Sequence, residues 1–160
     1  MQFAAYGGIG ILIIIVQVLV SRFLSIAGVS PDFLLIFLMY ITLREGQFAG
    51  IISGFVLGLL LDVTSSGILG AHALASTVAC FLAGFFYDRE RVEQNIRNWP
   101  FLMLTLLGAI INNALYYFLM TRGGEMSFAE FAFQYGAVGA LYTVFIAIFP
   151  LLYWSRKRAY

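Results

Sequence analysis

Long apolar runs, separated by short charged or glycine-containing stretches, constrain this chain more than any other feature. Six runs can be marked, at about residues 4–26, 31–44, 47–61, 68–87, 100–121 and 129–154. Charged residues make up 11% of the chain and hydrophobic residues 62%, whereas soluble domains are about 25% charged. A spanning helix needs roughly 20 apolar residues. The sequence therefore predicts one all-α membrane domain (1–160), a six-transmembrane-helix bundle.

The second and third runs are short for a full crossing, and two arrangements are open for them. In a re-entrant hairpin, the tip would carry Arg44 and Glu45 into the membrane, which costs about 2.5–3.5 kcal/mol per charge at its centre. Two thin spans with this tip at the interface avoid that cost. We favour the two thin spans.

Basic residues predict the orientation of the six spans. Arg22 and Arg122 lie on one side of the membrane. The other seven of the nine basic residues lie on the side of the termini: Arg44, Arg89, Arg91, Arg97, Arg156, Lys157 and Arg158. Because basic residues accumulate in cytoplasmic loops, both termini are predicted to lie in the cytoplasm. The N-terminal run has no basic residue before it, so we expect a retained helix rather than a signal peptide.

Two rows of small residues recur at every fourth position. The row in the third run is Gly46, Gly50, Gly54 and Gly58, and the next step of four reaches Asp62. The row in the fourth run begins at Gly67 and continues with Ala71, Ala75, Ala79 and Ala83. Helices in lipid associate by close packing at small residues. We expect these rows either to pack on each other or to receive the helix of a partner protein.

We predict structural roles for the polar residues at the start of the second run and inside the fifth run. Ser30-Pro31-Asp32 is typical of a helix start, with Ser30 as the N-cap, Pro31 in the first position and Asp32 in the first turn. Asn112 and Asn113, and Gln17 in the first run, are expected to join helices by hydrogen bonds rather than to bind a ligand.

Asp62 ends its helix at the negative pole of the helix dipole, so its carboxylate needs compensating donors. We expect it to accept backbone N–H groups of Thr64, Ser65 or Ser66 in a local turn, which would make Asp62→Asn mild. His72 lies nearby in the sequence, but nothing resembles a nucleophile elbow. Catalysis, a metal site and a bound cofactor are therefore not expected.

The longest polar stretch, DRERVEQNIRNW at 88–99, is predicted to form a short amphipathic helix on the cytoplasmic face. Val92, Ile96 and Trp99 recur at helical spacing along it. The stretch is either a solvated linker or a docking site for a cytoplasmic partner, and the contacts of such a site would be Arg89, Arg91 and Arg97.

Together, SPDFLL at 30–35, the glycine row ending on Asp62, and the Ala-rich helix after a small-residue turn resemble the MreD family of bacterial rod shape-determining proteins. The resemblance extends to the length, the six spans, the charged loop and the basic tail. It implies a fold similar to the S component of energy-coupling-factor transporters. It also implies a multi-pass protein of the bacterial cytoplasmic (inner) membrane, without catalytic residues.

The function implied by this resemblance is that of a non-enzymatic scaffold in the cell-elongation machinery, supporting peptidoglycan synthesis and rod shape. The implied partners are MreC, bound directly, then MreB, RodA and the transpeptidase partner of RodA, with the lipid bilayer around them. A net charge of +1 suggests no nucleic-acid partner. The alternative is a vitamin-binding S component, but the outer loops are short and the first run is bulky.

The orientation can be tested by labelling with an impermeant maleimide after Cys80 is replaced. Single cysteines at Ser66 or Gly123 are expected to react in intact cells, because both positions fall in outer loops. A cysteine at Gln94 is expected to react only after permeabilisation. The reverse pattern would exclude six spans with cytoplasmic termini.

Overall fold

The computed structural model describes residues 2–24, 30–65, 67–120 and 136–156. These residues form helices and turns, with no strand among them. The helices are α1 (Gln2–Leu24), α2 (Phe33–Glu45), α3 (Gln47–Thr64), α4 (Ala71–Gly84), α5 (Val92–Arg97), α6 (Trp99–Met120) and α7 (Val138–Arg156). Five positions used above lie outside the described residues: Ser66, Arg122, Gly123, Lys157 and Arg158. The predicted start of the sixth run at 129 lies outside them as well.

Helix α2 is the centre of the bundle. It contacts α1, α3, α4, α5, α6 and α7, and eight of its 13 residues are buried. A helix surrounded by other helices is apolar on all sides, which explains why its sequence is a continuous apolar run. Its length of about 20 Å at 1.5 Å per residue is less than the hydrocarbon thickness.

The outward surface of the bundle is strongly apolar. Large side chains point away from the protein on several helices, among them Leu12, Phe55, Leu107 and Phe145. Among the described residues, α3 and α6 are long and apolar enough to cross a membrane, and α1, α4 and α7 contain shorter apolar segments. Soluble monomers rarely expose apolar surface on this scale. The architecture is that of a helical membrane protein.

Glycines of α3 bring two neighbouring helices into close contact. A Cβ atom added to Gly58 would lie 2.7 Å from Cα of Ala73, and one added to Gly54 would lie 3.1 Å from the backbone oxygen of Ser76, both on α4. Gly50 faces the side chain of Thr42 on α2 instead. Because a row of every fourth residue drifts around a helix of 3.6 residues per turn, one row meets two helices.

The predicted row of small residues on α4 lies on a different face from the one that contacts the glycines of α3. The two faces are adjacent. The α4 atoms nearest to the glycine positions belong to Ala73, Ser76 and Cys80. The predicted row is buried too, at Ala71, Ala75, Ala79 and Ala83. Gly67, which was expected to begin this row, is exposed in the turn before α4. Both rows of helical small residues are therefore covered within this chain.

Gly46 is not part of the packing row, contrary to the sequence-based expectation. It is the single residue between α2 and α3, with φ +102° and ψ 172°. L-residues rarely adopt such a positive φ, so glycine is favoured there. Its N–H donates to the backbone oxygen of Thr42 and its oxygen accepts from the N–H of Gly50, at 3.1 Å each. Gly46 therefore turns the chain directly from one helix into the next.

Two other predicted boundaries are wrong. Asp32, not Ser30, is the N-cap of α2, because its carboxylate accepts the N–H of Leu35 at 2.9 Å. Pro31 therefore precedes the helix. Trp99 does not continue the amphipathic helix: Asn98 is extended, and Trp99 begins α6 with Pro100 in its first turn.

Gly58 and Gly8 form a matched pair for testing the close packing of α3 on α4. Gly58→Ala should lower the melting temperature in detergent, because the methyl group would enter the backbone of Ala73. Overpacking of this kind costs about 1–3 kcal/mol. Gly8→Ala on α1 meets nothing within 4 Å, so its melting temperature should be unchanged or slightly raised. Equal melting temperatures for the two variants would contradict the close packing of α3 on α4.

Candidate functional site

Asp62, at the end of α3, provides the N-terminal cap of α4. One carboxylate oxygen accepts the N–H groups of Gly70 and Ala73, and the other accepts the N–H of His72, each at 3.0 Å. The side chain is 3% exposed. The positive end of the α4 dipole therefore compensates a buried negative charge.

The prediction that Asp62 accepts hydrogen bonds from a local turn is wrong, because other groups donate to its carboxylate. The N–H of Ser65 donates to backbone oxygens of Leu61 and Asp62, not to the carboxylate, and the hydroxyl of Thr64 donates to the oxygen of Leu61. Ser66 is outside the described residues. The donors come from eight to eleven positions further along the chain because the glycine contact brings the start of α4 beside the end of α3.

Asp32 is the centre of a second polar network, at the N-terminus of α2. Its carboxylate accepts the N–H of Leu35 at 2.9 Å and side-chain amides of Gln17 and Asn112 at 3.4 and 3.3 Å. Its own N–H donates to the hydroxyl of Thr143 on α7 at 3.0 Å.

This network joins five helices. Gln17 on α1 also accepts the N–H of Leu34 on α2, and Asn112 on α6 accepts the hydroxyl of Ser76 on α4. Asn113, next to it, donates to the backbone oxygen of Gly136, just before α7. The first N–H groups of α2 therefore find acceptors on α1 and α7, as an apolar environment requires.

A cavity of about 450 Å³, here called the Asp32 cavity, lies beside this network. Its lining residues include Gln17, Asp32, His72, Asn112, Asn113, Tyr116 and Tyr117. The ring of His72 stacks on the ring of Tyr116 with centroids 4.1 Å apart and an angle of 21°. Tyr117 meets Tyr116 edge to face at 5.4 Å. The cavity thus has a carboxylate and amides on one part of its wall and aromatic rings on another.

Asp62, Ser65 and His72 do not form a nucleophile and base pair in the described part of the chain. The hydroxyl of Ser65 donates to the backbone oxygen of Asp62 at 3.2 Å. The carboxylate of Asp62 accepts three backbone N–H groups. His72 packs on Tyr116 rather than on a serine. This geometry serves to fix helix ends.

The three arginines proposed as partner contacts lie at the opposite end of α4, around α5. Arg97 is 3.4 Å from Glu93 and lines a cavity of about 470 Å³ together with Arg44 and Glu45. Arg91 is 3.7 Å from Asp88 across a turn, with 71% of its side chain exposed. Arg89 is exposed in the same turn. The structure therefore separates Arg97, which faces a cavity, from two arginines on an exposed turn.

Gln17, the one polar residue in a run of aliphatic side chains, was expected to join helices, and its hydrogen bonds to Asp32 and Leu34 confirm this. Two other residues near Asp32 were missed from the sequence as site residues. Thr143 and Tyr116 carry no such signal, because threonine and tyrosine are common in spanning helices and at their ends. Only the packing of α6 and α7 against α2 brings them to Asp32.

The family model described as rod shape-determining protein MreD matches residues 2–156. No curated protein and no solved structure matches the chain significantly.

The cap formed by Asp62 can be tested with Asp62→Asn and Asp62→Leu. Both carboxylate oxygens are used, so an asparagine would lose at least one acceptor and turn an NH₂ group towards a backbone N–H. We therefore expect Asp62→Asn to be destabilising, not mild. A hydrogen bond to a charged group is worth about 1.5–3 kcal/mol. Asp62→Leu should be worse, because it leaves all three N–H groups unpaired.

Asp88→Asn provides the control for this pair, measured as the melting temperature in detergent. Asp88 also accepts a backbone N–H, that of Glu90 at 3.0 Å, but it is exposed. An asparagine oxygen can accept this single bond, so the variant should melt like the wild type. A wild-type melting temperature for Asp62→Asn would show that the cap needs only one oxygen.

Proposed function

The chain belongs to the MreD family of rod shape-determining proteins, and from this premise we propose that it is a non-enzymatic scaffold subunit of the bacterial cell-elongation machinery. In this proposal it crosses the cytoplasmic membrane six times with both termini inside. It binds MreC directly and supports peptidoglycan synthesis and rod shape together with MreB, RodA and RodA's transpeptidase partner. The family match over 2–156 is the observation that carries the proposal.

The apolar outer surface supports the location in the membrane. Side chains such as Leu19, Phe48 and Leu141 are more than half exposed. In water such a surface would cause the protein molecules to associate, whereas in a membrane the lipid chains can contact it directly. The same surface offers the contact area that a scaffold subunit needs for the helices of other membrane proteins.

The small-residue rows are assigned to internal packing rather than to MreC. Gly54 and Gly58 face α4, and the alanines at 71, 75, 79 and 83 are at most 5% exposed. A partner helix could reach Gly54 and Gly58 only by separating α3 from α4, and it could reach the alanines only by displacing the helices of this chain that cover them. We therefore propose that MreC binds elsewhere on the lipid-facing surface. The family match also favours this scaffold role over the vitamin-binding alternative.

For a cytoplasmic partner, the exposed turn with Arg89 and Arg91 is the proposed contact. The ion pair between Arg91 and Asp88 is on the surface, so it contributes only about 0–1 kcal/mol to folding. Its charges can be changed with little effect on stability. An exposed pair of arginines attracts acidic surfaces from solution.

This proposal predicts separate effects on two partners in co-purification from cells of the same organism. Wild-type protein should retain both its MreC and its MreB homologue. The double charge reversal Arg89→Glu with Arg91→Glu should reduce MreB recovery at least tenfold while MreC recovery is unchanged, because only the cytoplasmic turn is altered.

Glu90→Lys in the same turn is the matched control, since it changes an exposed charge between the two arginines without removing either. Its MreB recovery should not fall. Failure of the wild type to retain MreC would contradict the scaffold role. Equal loss of MreB and MreC in the double reversal, with unchanged melting temperature, would contradict the assignment of the turn.

A further inference from the structure

The Asp32 cavity is not used by the scaffold role, and its wall contains an aspartate side chain. Among its lining residues in the described part of the chain there is no lysine or arginine. Asp32 is the acidic side chain on this wall, and His72 lies on the wall as well. A charged group inside a spanning bundle is costly and commonly marks a functional site.

The hydrogen bonds to the Asp32 carboxylate differ in length. The bond from the N–H of Leu35 is 2.9 Å long, but those from the amides of Gln17 and Asn112 are 3.4 and 3.3 Å. Hydrogen bonds from nitrogen usually measure about 2.7–3.2 Å. The two amide hydrogen bonds are therefore long, and a cation in the cavity would add a further partner for the carboxylate.

The aromatic part of the wall also suits a cation. Tyr116 and Tyr117 meet edge to face, and His72 lies flat on Tyr116. The faces of tyrosine rings carry negative potential and attract cations, particularly ammonium groups with methyl or methylene substituents. Ring stacking also keeps these side chains in place, so the wall is preorganised.

We propose that the Asp32 cavity binds a small organic ammonium group, with Asp32 as the counter-charge and the tyrosine rings as the apolar wall. The volume of about 450 Å³ is within the usual range for small-molecule sites. The ammonium could belong to a free amine or to the head group of a zwitterionic lipid, which share this chemistry. The proposal is independent of the partners assigned above.

The test compares choline with its neutral isostere 3,3-dimethyl-1-butanol, in which carbon replaces nitrogen. Binding to the purified full-length protein in maltoside detergent is followed by saturation-transfer NMR on the methyl signals. Choline is expected to bind at least tenfold more tightly than the alcohol. This comparison needs no mutant. Equal binding of the two compounds, or no binding of choline, would overturn the proposal.

Asp32→Asn and Glu45→Gln locate the site. Asparagine is also a good N-cap, so Asp32→Asn should keep α2 intact while lowering choline affinity at least tenfold. Glu45→Gln removes a carboxylate at the other end of α2, where Glu45 accepts the hydroxyl of Tyr6. It should leave choline binding unchanged. If Asp32→Asn does not fold, Tyr116→Leu is measured in its place and is expected to lower the affinity for choline. Equal losses in Glu45→Gln and in these cavity variants would overturn the site.

Native mass spectrometry distinguishes the two sources of the ammonium group. Protein from nanodiscs of phosphatidylethanolamine should retain a lipid that choline displaces if the head group is the ligand. Choline binding without a retained lipid identifies a free amine. Either result supports the proposal. Retention of phosphatidylglycerol in preference to phosphatidylethanolamine, lost in Asp32→Asn, would overturn it, because that head group carries no cation.

Discussion

The need to satisfy the first N–H groups of a helix in an apolar environment governs this structure. Each helix begins with N–H groups that have no partner in the helix itself, and lipid offers none. Two aspartates meet this need. Asp32 caps its own helix, α2, with help from Gln17 and Thr143, while Asp62 caps α4 from the end of α3. The polar groups that fix the bundle are thus helix caps, not ion pairs.

The cap of α4 depends on the glycines of α3. Gly58 approaches the backbone of Ala73, and one turn later Asp62 accepts the N–H of the same residue. A side chain at position 58 would separate the two helices and take the carboxylate away from its donors. The close packing of α3 on α4 and the compensation of the Asp62 charge therefore depend on the same contact. This coupling explains why a row of glycines ends on an acid.

The same caps create the cavity on which the further proposal depends. Gln17, Asp32 and Asn112 come from three different helices, and their hydrogen bonds hold these helices at the cavity wall. His72 lies in the first turn of α4 and reaches the cavity because Asp62 fixes that turn. A protein built in this way has an apolar outer surface and a polar cavity inside. The two features can serve separate roles.

Apolar runs and their breaks were enough to predict an all-helical, strongly apolar chain, because length and hydropathy are local properties of the chain. The sequence also indicated that Asp32, Asp62 and Asn112 are important, because polar groups in such apolar runs are few. Tertiary structure alone decided their partners. Thr143 is 111 positions from Asp32 in the chain, and the donors to Asp62 belong to the next helix. It also decided that Gly46 is a turn and that the glycine row meets α2 as well as α4. A spacing of four identifies a face of a helix, but which neighbour covers that face depends on how all the helices pack together.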